Sequence, residues 1–191
     1  AILNGEQYAG KVKDSYMDVM TLGQWRAVFT GKQWGVIGYF LPEFQGEYAT
    51  EVAPTRGLAA LVMLHDVSVS SGSSNVKVWD TMYDALDKFG YIESTFIPYW
   101  SPQPPASTDM KDVYISAYKR ADGRALLIVG NTSHDPRSGA IILNAEALGL
   151  PVGKVFSWPD GKTLAYKNGT VEVKMDGLDY RLLLVGAPPA K

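Results

Sequence analysis

The sequence contains no cysteine, which rules out a disulfide framework and any thiolate metal site and leaves the redox compartment undetermined. Histidine is nearly absent as well: His65 and His134 are the only two, too few for a multi-histidine metal centre. The longest apolar run, GLAALVML from Gly57 to Leu64, falls far short of the ~20 residues that a membrane-spanning helix needs, so no membrane partner is expected. Neither sign of charge dominates. Eighteen Lys and Arg stand against 20 Asp and Glu, a formal charge of −2, and the cations are scattered, which argues against a nucleic-acid partner. No P-loop, dinucleotide glycine fingerprint or Gly-x-Ser-x-Gly elbow occurs, and no cofactor is expected. A leader and an initiator methionine are missing too. The chain opens inside a strand-like run, AILNG, and the expectation is a processed or truncated piece of something larger.

What remains is 191 residues with 46% hydrophobic and 12% aromatic content, enough for one ample core or two small ones. The first hundred residues alternate between strand and helix textures. SYMDVMTLGQWRAVFT has helical spacing interrupted at Gly23 and reads as two short helices; QWGVIGYFL reads as a strand. Pro54 marks the first turn of a buried helix, and VKVWDTMYDALDKFG carries an amphipathic stripe stopped by Gly90, with Ser73, Ser74 or Asn75 as its cap. Ser101 to Met110 holds three prolines and no period, and reads as a linker. Beyond it the period becomes two, with Asp122-Gly123 and Asn168-Gly169 as two-residue hairpin turns. The fold class is therefore α+β: a partial α/β region over residues 1–105, then an antiparallel β-sandwich over residues 106–191 whose strands bury their alternating faces without help.

This layout resembles the C-terminal end of (β/α)8-barrel glycoside hydrolases. ILNGEQY, WRAVFTGKQWGVIGYFLPEF, GLAALVMLHDVSV and DKFGYIESTFIPYW resemble the last strand–helix units of such a barrel, and VYISAYKRADGRALLIVGNTS resembles the opening hairpin of the sandwich appended to it. The resemblance implies hydrolysis of glycosidic bonds by two carboxylates, and carbohydrate as the partner. It supplies about three of eight barrel strands, so the isolated chain is not expected to be catalytically complete. Open strand edges would then favour either self-association through the N-terminal half or the folding of that half into a compact, non-barrel α/β layer packed against the sandwich. The alternative is a non-catalytic β-sandwich module that binds carbohydrate or protein.

In parallel α/β layers, ligand-binding groups sit at the carboxyl ends of strands. Two apolar runs here end on a carboxylate, at Asn4-Gly5-Glu6 and at Pro42-Glu43. The resemblance places Glu6 and Glu43 at the mouth of adjacent strands as the catalytic candidates, with Asn4 and Gln7 positioned for sugar hydroxyls. Glu47, Glu51 and Asp66 are the other acids near strand ends or in the loops that follow. His65 and Asp66 at a helix end are weighed as substrate-binding residues against an ordinary helix-terminal histidine. Tyr99-Trp100 and Trp158 are the aromatics expected to be exposed for stacking on a sugar, the remaining tryptophans being core. A carboxylate-and-carbonyl Ca²⁺ site within Ser133 to Gly139 is a lesser candidate, and no metal ligand is assigned.

Overall fold

Local chemistry sets the elements of the first half. In the computed structural model, which describes residues 4–7, 11–30, 37–151 and 153–186, strand β1 (Asn4–Gln7) pairs in parallel with β2 (Ile37–Phe40). Between them Ser15 caps a 3-10 turn at Tyr16–Asp18. Helix α1 (Leu22–Phe29) opens on a reciprocal capping box, Thr21 N–H donating to Gln24 Oε1 and Gln24 N–H to Thr21 Oγ1. The expected interruption at Gly23 thus falls two residues earlier, and Gly23 lies inside the first turn. Helix α2 (Val52–His65) carries Pro54 in its first turn and is buried almost throughout. Helix α3 (Val76–Phe89) ends at Gly90, whose φ of 80° lets its N–H reach back to Leu86 and Asp87.

A third parallel segment follows α2. Val69 bridges Phe40 and Ser73 bridges Glu43, while Val12 bridges Phe44 on the other flank. Three parallel segments separated by α1 and α2 make a β/α layer. Among the described residues it does not close into a barrel.

The second half forms two antiparallel sheets. Strands β3 (Thr95–Ile97), β5 (Val113–Lys119), β6 (Ala125–Asn131), β12 (Asp179–Val185), β8 (Val155–Ser157) and β9 (Thr163–Leu164) lie in that order in one. The other has the order β10 (Tyr166–Lys167), β11 (Thr170–Met175), β7 (Arg137–Leu143), β4 (Ala106–Ser107). Both Asn168 and Gly169 have positive φ, so this pair makes the expected two-residue turn. At Asp122-Gly123 only the glycine does, and the connection widens to Arg120–Arg124 because Arg120 N–H donates to Arg124 O. Two features interrupt the period-two pattern and the linker. The run after β7 turns into a short helix α4 (Ala145–Leu148) because Asn144 caps it, and the proline segment contributes β4.

The six-stranded sheet is buried on both faces. Ile115, Leu127, Val129, Leu183 and Val185 face Ile141, Val171, Val173 and Met175 of the other sheet. Leu126, Ile128, Leu182 and Leu184, alternating with them, pack on Leu58, Leu61 and Leu64 of α2 in a core shared with Trp25, Phe40, Met82 and Phe89. The sandwich therefore does not cover all of its faces by itself. Gly130 lets α2 approach β6, since a Cβ there would lie 2.7 Å from Leu64 Cδ1. A second close approach joins Gly57 of α2 to Leu178, where an added Cβ would lie 2.9 Å from Leu178 Cβ. Arg56 completes the junction, its guanidinium lying 4.3 Å over the Tyr180 ring and donating from Nε to the buried carboxylate of Asp179 at 2.6 Å.

Candidate functional site

Glu43 leaves the carboxyl end of β2, and three elements hold it. Its N–H donates to the Tyr16 hydroxyl at 2.5 Å, its carbonyl accepts from Val12 N–H, and its backbone bridges Ser73. The carboxylate is half-buried, with Lys11 Nζ 3.9 Å from Oε2. Its backbone is fixed at the carboxyl end of β2, and its carboxylate is partly open to solvent beside Lys11. Lys11 and Tyr16 are the two neighbours that periodicity does not reveal: a lysine in a connecting loop and a tyrosine on an apolar stripe carry no mark of this role.

Asn4 and Glu6 lie on β1, in register with Ile37 and Tyr39. The side chains of Asn4, Glu6 and Gln7 lie outside the described residues, as does Trp34. The register places Glu6 four residues behind Glu43 along the strand direction, about 13 Å at the rise of a β-strand. Glu47 sits in the 3-10 turn Gly46–Ala49, and Glu51 precedes α2 without capping it through its side chain.

His65 and Asp66 occupy the other end of the layer. They terminate α2 and precede the third parallel segment, so they stand at its amino end whereas Glu43 and Ser73 stand at the carboxyl end. His65 is enclosed, stacked between Trp25 at 5.9 Å and Trp100 at 5.5 Å. Its Nδ1 lies 2.7 Å from Leu61 O and its Nε2 3.2 Å from the Tyr99 hydroxyl. Burial pushes the imidazole down to about 4, so it is neutral at pH 7. Asp66 takes a left-handed backbone conformation, φ 54°, and accepts a hydrogen bond from the Tyr118 hydroxyl at 2.7 Å. Desolvation raises its carboxyl above the usual range, and the Tyr118 bond opposes the rise. A cavity of about 40 Å³ beside it is lined by Tyr83, Tyr91, Tyr118 and Ser68, room for a water or two.

Trp100 keeps partial exposure, with the Arg26 guanidinium 4.9 Å over its ring. Trp158 is half-buried instead of standing free. Its indole N–H donates to Ala85 O of α3 at 2.8 Å, which ties the sandwich to the helices.

Residues 74–157, from just before α3 to the end of β8, match the glycoside hydrolase 123, C-terminal domain model. No curated protein matches the sequence. Among solved structures, a candidate alpha-galactosidase from Bacteroides fragilis NCTC 9343 superposes with a TM-score of 0.54 at 11% identity, covering 96% of this chain and 43% of that one. The glycoside hydrolase family 30 subfamily 8 xylanase from Clostridium acetobutylicum gives a TM-score of 0.52 at 12% identity, covering 98% and 49%. The chain spans less than half the length of these structures, and at such identities the likeness is one of fold. The chain resembles the C-terminal part of a barrel glycoside hydrolase in fold, and its stretch over residues 74–157 is similar to a glycoside hydrolase C-terminal domain.

Proposed function

We propose that this chain provides the last β/α units and the appended sandwich of a glycoside hydrolase, as two units over residues 1–105 and 106–191, with carbohydrate as the ligand of the β/α layer. The observation that supports this most is the parallel order of β1, β2 and the Val69–Ser73 segment, with Glu43 presented at its carboxyl end. That is where barrel enzymes place their catalytic groups. Glu43 meets the scissile region as one carboxyl group. Glu6, four residues deeper on the neighbouring strand, meets the sugar as a positioning group, or as the catalytic partner only where the completed barrel brings the two carboxyl groups together. Catalysis needs carboxyl groups ~5 Å apart for retention or ~6.5–9.5 Å for inversion, and three parallel segments alone do not enclose such a site. Complementary barrel strands therefore belong to the active form, from the same polypeptide or, for this chain alone, from association through the edge of β1.

The test is hydrolysis of a panel of aryl glycosides by the longest product of the gene and by its Glu43→Gln and Glu6→Gln variants. Loss of turnover by at least about a hundredfold in Glu43→Gln, with unchanged thermal stability, is expected for a group acting in proton transfer. Full activity in both variants would refute the assignment. Glycan binding without turnover in every form would identify the chain as a binding module instead.

A further inference from the structure

The sequence offers no metal centre by local spacing, yet the fold gathers three ligating side chains from distant positions. Asp14 and Asp18 come from the segment after the carboxyl end of β1, and His134 comes from the loop between β6 and β7. One ligating atom from each lies within 4.8 Å of the other two. We propose that these three residues bind a divalent transition-metal ion of the zinc class.

The spacing is the first argument. His134 Nε2 lies 3.6 Å from Asp18 Oδ1, and Nδ1 lies 3.9 Å from Asp14 Oδ2. Both gaps exceed hydrogen-bonding distance, so no direct bond holds the groups together. Ligand atoms 2.0–2.2 Å from a tetrahedral zinc ion stand roughly 3.4 Å apart, close to the gap observed between His134 and Asp18. The metal takes Nε2 with one oxygen of Asp18, and Asp14 swings in as the third ligand. Water fills the remaining position.

The second argument is that the donors are uncommitted. Among the described residues neither Asp14 nor Asp18 has another ion-pair partner, and His134 makes no hydrogen bond through its ring. The backbone under the imidazole, by contrast, is fixed. Leu178 N–H donates to Ser133 O at 2.8 Å, and Gly177 packs so closely that a Cβ there would fall 1.9 Å from His134 O. Asn131 holds the loop from within, its Nδ2 donating to Asp135 O and Asp176 O. An imidazole on a fixed backbone and two exposed carboxylates on a separate segment form a site closed by small side-chain rotations.

Donor chemistry selects the ion. One imidazole and two carboxylates suit Zn²⁺, Co²⁺ or Ni²⁺, whereas Ca²⁺ prefers six to eight oxygens and Mg²⁺ an oxygen octahedron. Two carboxylates also balance the dication. Bound there, the metal would fasten the segment after β1 to the β6–β7 loop, beside the end of the layer that carries Glu43.

The experiment is titration of the chelator-treated full chain with Zn²⁺ by calorimetry, alongside His134→Ala and Asp18→Asn. Co²⁺ absorption serves as an independent readout of ligand geometry. The proposal expects one saturable site, a visible Co²⁺ spectrum, and loss of affinity of at least about tenfold in either variant. The side chains are exposed, so metal-free variants should melt within a degree or two of the parent. No saturable binding, or binding that survives His134→Ala within a factor of three, overturns it. Equal binding of Ca²⁺ would overturn the assignment of metal class.

Discussion

Replacing Gly57 by alanine tests how α2 is seated on the sandwich. In the interior of a helix this exchange ordinarily stabilises by about 1 kcal/mol, because alanine loses less backbone entropy on folding. Here the new methyl would stand 2.9 Å from Leu178 Cβ and 3.5 Å from Leu178 Cα. Those atoms cannot swing aside as a side-chain tip would. Leu178 is buried, has φ of 50°, and is anchored by its N–H to Ser133 O. Overpacking of this kind costs about 1–3 kcal/mol, so the balance is a net loss of about 1 kcal/mol, or a fall in Tm of roughly 2–4 °C for a chain of this size. In a Leu178→Gly background the obstructing Cβ is gone and the positive φ is relaxed. There the alanine should recover its ordinary gain, a coupling of about 2 kcal/mol in a double-mutant cycle. Urea denaturation of the four proteins measures it. If Gly57→Ala stabilises the parent by the full helix increment, the close approach does not fix the helix and the reasoning fails.

Two further perturbations probe the same junction. His65 is held neutral down to about pH 4 by burial, while the unfolded chain protonates near 6.5. Its contribution is complete above pH 6.5 and lost as pH falls toward 4, about 3 kcal/mol in all; denaturation curves across that window should show this slope in the parent and not in His65→Phe, and equal slopes would count against it. Asp179→Ala removes a carboxylate bonded by both Arg56 and Arg181. Breaking such a buried pair costs about 3 kcal/mol, and a measured loss below about 1 kcal/mol would mean that the cation–π contact with Tyr180 suffices.

The sequence made some elements visible because their signals are local. The stripe of α3 repeats at helical spacing and stops on Gly90, and Asn168-Gly169 permits one kind of turn, so both were readable without the fold. The Val69–Ser73 segment was not. It is rich in serine and joins the layer only through single bridges to Phe40 and Glu43, with none of the β-branched alternation that marks a strand. Trp158 misled for a related reason: next to proline and a turn it looks exposed, but exposure there depends on α3, whose Ala85 carbonyl lies 73 positions earlier. Glu43 was legible as a carboxylate after an apolar run, whereas its setting by Tyr16 and Lys11 was not. Clustering of Asp14, Asp18 and His134 depends on tertiary contact between segments that share no motif.

The sheet that is apolar on both sides has a consequence for how this architecture can be taken apart. Between the helices and the outer sheet it acts as a party wall, and neither neighbour can be demolished without exposing it. A protein cut at the proline segment would leave Leu126, Ile128, Leu182 and Leu184 facing water, a greasy surface of the kind that drives aggregation. The sandwich is thus unsuited to standing as a free bead, and its inner face stays covered only where α2 and α3 accompany it.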